Sequence, residues 1–484
     1  MPSKLLADRA GELAAAYLRL CEQAGAEVLS ESLGLCRELC GLATANDPAV
    51  AQAGSDAIFR QIVEHLGDRF EAQLCDVYVR FFSQVVDFCR HLPAGRSLHR
   101  KLWELGLENE AQFLDRANRV RRGRRCEPLS TAAIKRVKKV FVLSRVTLGA
   151  DVAVTSVILS RMKELYRGAE VLLLGGAKAG SLFASDPLIT LVPAVYNRGG
   201  TLLDRLGAWV SLTEQMARQT EGLAPDEYLI VDPDSRLTQL GLLPLTADDS
   251  NYYFFESRSY TSPPTEELAQ LTGRWLDEVF GWQSVTTDAW AYRPTMPYVS
   301  LSAKDCQLGH EVRQARPGRL AAVNLGVGDN PAKRIADPFE LDLLLALLEA
   351  GYTVLLDRGA GSEELSRSAS LAVALGQAGK SVGSVTTSGI DVAEVMTWDG
   401  SLSGFAALIA VSDLYVGYDS AGGHLAAALG VPGIDVFAGA VAPRMIERWR
   451  PWGEGEVRVV VTEPGADPDA VLAKVRRAWL EFRG

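Results

Sequence analysis

Residues 414–439 read LYVGYDSAGGHLAAALGVPGIDVFAG. An apolar run, Leu414 to Tyr418, ends in Asp419-Ser420. Three small residues, Ala421-Gly422-Gly423, then open a helical pattern with His424 in its first turn. A second apolar run, GIDVFAG, follows Gly430 and Pro432. Strand, helix and strand within so few residues predict a βαβ unit, hence a parallel sheet covered by helices. Glycines let a backbone approach a ligand closely. Free N–H groups and the helix dipole then favour a diphosphate, with Ser420, Gly422, Gly423 and His424 around it. His424 would add a hydrogen bond or a charge. An ordinary strand–helix turn capped by Asp419 or Ser420 fits the same letters.

The pattern extends upstream. RLAAVNLG (319–326) reads as a strand, FELDLLLALLEAG as a helix and TVLLDRGAG as a strand. The loop VNLGVGDNPAKR (323–334) follows the first of these. Asn324, Gly326 and Gly328 suit an exposed loop, and Lys333-Arg334 set cations beside it. A cation there would stabilise a departing diphosphate. A solvated loop is the plain alternative, and GxxxxGK[ST] is absent. Residues 316–484 thus predict one doubly wound domain. Its last helix, DPDAVLAKVRRAWLEF (467–482), is expected to pack back across the chain.

A similar alternation occupies residues 137–315. VFVLS, AEVLLLGG and EYLIVDPDS read as strands, the first followed by a helical stretch, VTSVILSRMKELYRG. In LSRVTLGADVAVTSV (143–157), Gly149-Ala150 lead to Asp151 at a helix start. Asp151 would cap that helix, or act as a general base across a cleft. Two such domains in tandem place their strand ends around one cleft, where ligands bind. Asp232-Pro233-Asp234 has the letters of a metal-binding DxD, but it lies in this first domain and not beside the Asp419–His424 turn. A helix is expected near 264–280.

Residues 1–125 predict helices alone. Apolar residues recur at three and four in FRQIVEHLGDRFEAQLCDVYVRFFSQVVDF. Asp47-Pro48 starts a helix, and Leu92 to Gly95 breaks one. The basic run RANRVRRGRRCEP, with Arg116, Arg119, Arg121, Arg122, Arg124 and Arg125, reads as a boundary or as a contact for an anionic partner. Six of the seven cysteines, Cys21, Cys36, Cys40, Cys75, Cys89 and Cys126, lie before residue 130 without CxxC spacing, so core thiols are expected. A net charge of -10 argues against nucleic acid as a partner. No secretory signal and no apolar run of spanning length is legible, so a cytoplasmic protein is expected.

Taken together, these segments resemble glycosyltransferase family 9, the ADP-heptose:lipopolysaccharide heptosyltransferases. The resemblance covers about residues 137–465. Three places carry it: Gly149-Ala150-Asp151 with Thr155, the Asn324–Lys333 loop, and Asp419-Ser420-Ala421-Gly422-Gly423-His424-Leu425 through Ala428-Leu429. Two departures stand out. Ala150 is an extra residue between Gly and Asp, and Ala421 replaces the family's usual Gly.

The resemblance implies a GT-B fold, preceded here by an all-helical domain. It implies inversion at the anomeric carbon without a metal or other cofactor. Asp151 would deprotonate the acceptor hydroxyl, Lys333 would neutralise the donor phosphates, and Asp419 would face the transferred sugar. Asn324, Gly326, Arg334 and the Ser420–His424 turn would hold a nucleotide-diphosphate sugar, ADP-linked by resemblance. The acceptor is a glycan, a lipid-linked sugar or a protein. Peripheral membrane contact and self-association through the helical domain are both compatible with the sequence. Two other classes remain: a sugar-nucleotide epimerase or hydrolase, and a non-catalytic nucleotide-sugar-binding interaction protein.

Overall fold

The computed structural model describes residues 3–24, 30–122, 130–196, 200–260, 266–281, 295–328, 330–359, 361–440 and 442–483. Arg124, Arg125 and Cys126 of the basic run lie outside the described residues.

Two sheets carry the chain. In the first, β1 (Lys139–Leu143), β2 (Glu170–Gly175), β3 (Ile189–Pro193), β4 (Tyr228–Asp232) and β5 (Tyr252–Phe254) stand in the order β3-β2-β1-β4-β5. All of its pairings are parallel. The second contains β6 (Arg319–Asn324), β7 (Tyr352–Asp357), β8 (Val382–Thr386), β9 (Gly389–Ile390), β10 (Val395–Trp398), β11 (Leu414–Tyr418), β12 (Gly433–Ala438) and β13 (Val457–Thr462). Their order is β13-β12-β11-β6-β7-β10-β8-β9, with only β8 and β9 antiparallel. Chain order reverses between β1 and β4 and again between β6 and β11. Such switch points open a crevice at the carboxyl ends of the strands. The short strands β3, β5, β9 and β10 were not legible as separate runs, because each is brief.

The first sheet is buried on both faces, which explains its nearly continuous apolar strands. Val140, Val142, Leu229 and Val231 face the Ser156–Leu165 and Leu268–Phe280 helices. The Leu268–Phe280 helix matches the one expected near 264–280. Phe141, Leu143, Leu172, Leu174 and Ile230 face the other way, into one core with Tyr17, Leu39, Phe81 and Phe82 of the helical region. The N-terminal helices therefore cover a sheet face. Asp47 caps the Pro48–Asp56 helix by accepting from Ala49 N and Val50 N, as its position before proline predicts. Arg116 ties the same region to Asp249 (2.7 Å) and to the carbonyl of Gly241 (2.6 Å). Cys21, Cys36, Cys40, Cys75 and Cys89 are buried among these helices. Burial raises the titration of Cys21, Cys75 and Cys89, so these thiols stay protonated and pack as small apolar groups.

The Pro468–Leu480 helix does not cross the chain as expected. Val471, Val475 and Trp479 join the core on the far face of the second sheet, with Trp479 edge-on to Tyr352. Crossing falls instead to the short Pro443–Trp449 helix. Its Trp449 meets Phe70 of the helical region, and its Arg448 donates to the carbonyl of Glu266. The Ala303–Ala315 helix packs on the Leu402–Ala410 helix of the second sheet, so that sheet's packing begins before residue 316. Among the described residues no helix is long and apolar enough to cross a membrane.

Candidate functional site

The site forms where the two switch points face each other. From the first sheet comes the segment after β1. Ser144 ends the strand, and the Leu148–Ala150 turn leads into a π-helical turn, Asp151–Thr155. A π turn holds one more residue than an α turn. The turn begins at Asp151, and the carboxylate stays at the end of β1 through its bonds to Ser144 and Arg145. Capping is not the role of Asp151, since Thr147 occupies the N-cap position. The Asp151 carboxylate is 1% exposed. Its Oδ1 accepts from Arg145 N (2.8 Å) and Thr155 Oγ1 (2.9 Å), and its Oδ2 accepts from Ser144 Oγ (2.8 Å). Burial raises its pKa to about 6, and the three donors hold it from rising further. Oδ2, with a single donor, keeps a lone pair for an incoming proton.

From the second sheet comes the turn after β11. Ser420 is the N-cap of the Ala421–Ala428 helix, and its hydroxyl accepts from Gly422 N at 3.3 Å. Lys333, at the end of a short 3₁₀ turn, forms an ion pair with Asp419 and reaches its carbonyl at 3.4 Å. One cation and one helix N-terminus thus lie together.

The two halves touch. A Cβ on Gly149 would lie 3.0 Å from His424 Cδ2 and 3.5 Å from the Cα of Ala421. The Gly-Ala-Asp segment and the Ala421–Ala428 helix are therefore apposed across the cleft. Trp449 closes one side, with its ring 6.0 Å from that of His424 and 5.6 Å from the Arg145 guanidinium. His424 is 5% exposed, and burial lowers its pKa to about 4. It is neutral at neutral pH, so it offers a hydrogen bond or a packing face and no charge.

Other residues take neighbouring places. Asn324 donates to Asp357 Oδ2 (2.6 Å) and accepts from Gly326 N (3.1 Å), which shapes the loop after β6. Gly326 leaves room for Glu364, whose carboxylate accepts from Gly328 N at 2.9 Å. Arg334 points away from the turn, toward Glu363 (2.9 Å) and Glu340 (3.5 Å). A pocket lined by Leu325, Gly326, Arg334, Asp357 and Glu364 lies at the ends of β6 and β7. Burial raises the Asp357 pKa to about 6.

Asp232 accepts from Ser235 N (2.7 Å) and from the Thr238 and Tyr252 hydroxyls. Asp234 pairs with Arg258 (2.7 Å). Both acids of the DxD letters thus serve protein partners. Among the described residues no group of three or more His, Cys, Asp or Glu is placed to hold a metal.

Sequence reading missed Arg145, Trp449, Tyr415 and Asp435. The last had a signal, an acid inside the apolar strand GIDVFAG. Gly422 and Gly423 press on two of these groups. A Cβ at 422 would overlap the Tyr415 hydroxyl, and one at 423 the Asp435 carboxylate. Gly423→Ala is therefore expected to cost about 1–3 kcal/mol by overpacking. Urea unfolding would measure this, and an unchanged midpoint would show that the Asp435 carboxylate yields freely.

Residues 342–476 match the family described as glycosyltransferase family 9 (heptosyltransferase). No curated protein matches the chain. Among solved structures, the chain is similar to a family 9 glycosyl transferase from Veillonella parvula, at 15% identity and a TM-score of 0.50, covering 71% of this chain and 97% of that one. It is similar to the ADP-heptose LPS heptosyltransferase II of E. coli at 15% identity and a TM-score of 0.46, covering 72% and 100%. The E. coli heptosyltransferase WaaC with ADP gives 14%, 0.45, and 70% and 99%. At these identities only the fold carries over, and the first of the three supports it. The matched family segment contains the Asp419–His424 turn, so the similarity to glycosyltransferase family 9 falls on the part of the second sheet that carries the candidate site.

Proposed function

We propose that the chain transfers a sugar from a nucleoside-diphosphate donor to an acceptor hydroxyl, inverting the anomeric centre without a metal. The observation that carries this reading is the Lys333–Asp419 ion pair at the N-terminus of the Ala421–Ala428 helix, apposed to the Gly149–Asp151 segment. The donor diphosphate lies on the helix N–H groups, and Lys333 balances its charge. The acceptor oxygen forms its bond to the anomeric carbon from the opposite face. The bond from that carbon to the diphosphate oxygen breaks, and its electron pair leaves with the diphosphate. Asp151 takes the acceptor proton on Oδ2. Asp419 faces the transferred sugar. A heptose or hexose, ADP-linked as the resemblance implies, is the favoured donor.

The competing interaction-protein reading drew on the extra Ala150 and on Ala421. The bonds from Ser144 and Arg145 support the catalytic reading, because they keep the Asp151 carboxylate at the end of β1. Release of nucleoside diphosphate that needs an acceptor separates transfer from epimerisation or donor hydrolysis.

The test is thermal unfolding of the wild type and Lys333→Ala with ADP, UDP and GDP. A ligand at about 100 times its dissociation constant adds roughly 2.7 kcal/mol to the folded state. One nucleotide is expected to stabilise the wild type, and Lys333→Ala to lose most of that gain. Absence of any response to all three would sink the donor site.

A further inference from the structure

Beneath the diphosphate turn lie two groups that the reaction scheme does not use. The Tyr415 hydroxyl and both carboxylate oxygens of Asp435 are buried and have no hydrogen-bond partner among the described residues. Such groups are rare in folded proteins and call for an explanation. Both stand directly under the turn. Gly417 of β11 pairs with Asp435 of β12, and Asp419 N donates to the carbonyl of Val436. Gly422 sits on the phenol and Gly423 on the carboxyl, each because no Cβ fits there. The two glycines and the two polar groups under them are one arrangement.

We propose that Tyr415 and Asp435 form a neutral floor that positions the donor turn, Asp435 keeping its proton while Tyr415 receives the Ser420 hydroxyl when a diphosphate binds. The inference rests on the donor site proposed above. Charge is the reason for the first half. The charged groups around Asp435 are Asp419 and Lys333, with the neutral Tyr415 and His424 beside them. An ionised Asp435 would set a second carboxylate against Lys333 and repel the diphosphate. Burial and the Asp419 charge both push the Asp435 pKa well up, which keeps the proton on.

The second half follows from the cap. Ser420 Oγ occupies Gly422 N, one of the N–H groups that a diphosphate needs. The phenol lies within reach of the same hydroxyl. In the cap the Ser420 oxygen accepts, so its proton is available to the phenol oxygen, and a swing of the hydroxyl toward Tyr415 strengthens that bond while it lengthens the 3.3 Å contact with Gly422 N and opens that N–H to a diphosphate. Tyr415 and Asp435 act through the turn and touch no reacting atom, so they are positioning residues.

The experiment is calorimetric titration of ADP into the intact wild type, Asp435→Asn and Tyr415→Phe, from neutral pH through successive alkaline steps. Once Asp435 ionises, wild-type affinity is expected to fall about tenfold per pH unit. Asp435→Asn is expected to keep the neutral-pH affinity and to lose this limb. Tyr415→Phe is expected to bind about 2- to 10-fold more weakly at every pH and to raise KM for the donor without lowering kcat. An unchanged alkaline limb in Asp435→Asn overturns the role of Asp435. Unchanged affinity in Tyr415→Phe overturns the cap transfer. Should Asp435→Asn fail to fold, Asp435→Ser supplies a neutral group and is read the same way. ADP that never binds the wild type sinks the ADP donor itself, a different failure from the other two.

Discussion

Asp151→Asn is expected to lower kcat by about 10²- to 10⁴-fold with little change in donor affinity, the usual worth of a general base. The substitution preserves shape and the acceptor positions for Thr155 and Ser144 only in part, since an amide has one oxygen. Donor affinity therefore needs to be measured beside kcat. Wild-type activity is expected to rise with pH through about 6, where the carboxyl ionises. The stability effect runs the other way. The folded-state pKa lies above the ordinary carboxylate value of about 3.9. The folded state thus binds the proton more tightly than the unfolded chain. The resulting stabilisation is present below about pH 4 and is lost as pH rises through about 6. In Asp151→Asn both the activity limb and this increment should vanish. Near-wild-type kcat with an intact pH limb would remove Asp151 as the base.

Removing the helical region is expected to abolish folding of the remainder. Phe141, Leu143, Leu172, Leu174 and Ile230 are at most 1% exposed. Their cover includes Tyr17, Leu39, Phe81 and Phe82. Re-exposing a large apolar side chain costs about 1.5–3 kcal/mol, so five approach about 10 kcal/mol. A domain's whole stability is about 5–15 kcal/mol. Polar ties are lost as well: Arg116 to Asp249, Arg121 to Glu256, and the Tyr78 hydroxyl to Gln239 at 3.2 Å. A chain of residues 130–484 should be insoluble or lack near-ultraviolet circular dichroism. A soluble product with cooperative thermal unfolding would show that the helices are a dispensable cap. The region's contribution to assembly or acceptor binding can be read only from point variants on its exposed side, because deletion removes the sheet's cover with it.

Much of the fold was legible in the chain's local pattern. Apolar runs such as VFVLS and AEVLLLGG are buried on both faces, so they need no alternation and stand out against the helices between them. The Asp419–His424 turn was legible for the same reason, since strand, turn and helix are contiguous and the glycines mark a close approach. Lys333 was legible as a cation after a strand, and its pairing with Asp419 follows from neighbouring strands β6 and β11.

Residues that meet only through distant elements were another matter. Lys333 and Arg334 are adjacent in sequence, yet one reaches the turn and the other turns to Glu340 and Glu363. A one-residue step on a tight 3₁₀ turn rotates the next side chain by roughly 120°. His424 reads as a candidate charge, and only burial against Gly149 and Trp449 makes it neutral. Asp435 reads as a blemish in a strand until Gly423 and Asp419 are placed over it.

By itself, then, the sequence determined the alternation of strands and helices, the glycine-opened helix after β11 and the acid after β1, because each depends on residues within one or two turns of one another. The tertiary structure alone decided which face the N-terminal helices cover, which charges survive burial and which groups lie beneath the turn. Those depend on desolvation and close packing between segments far apart in the chain, and no local pattern records them.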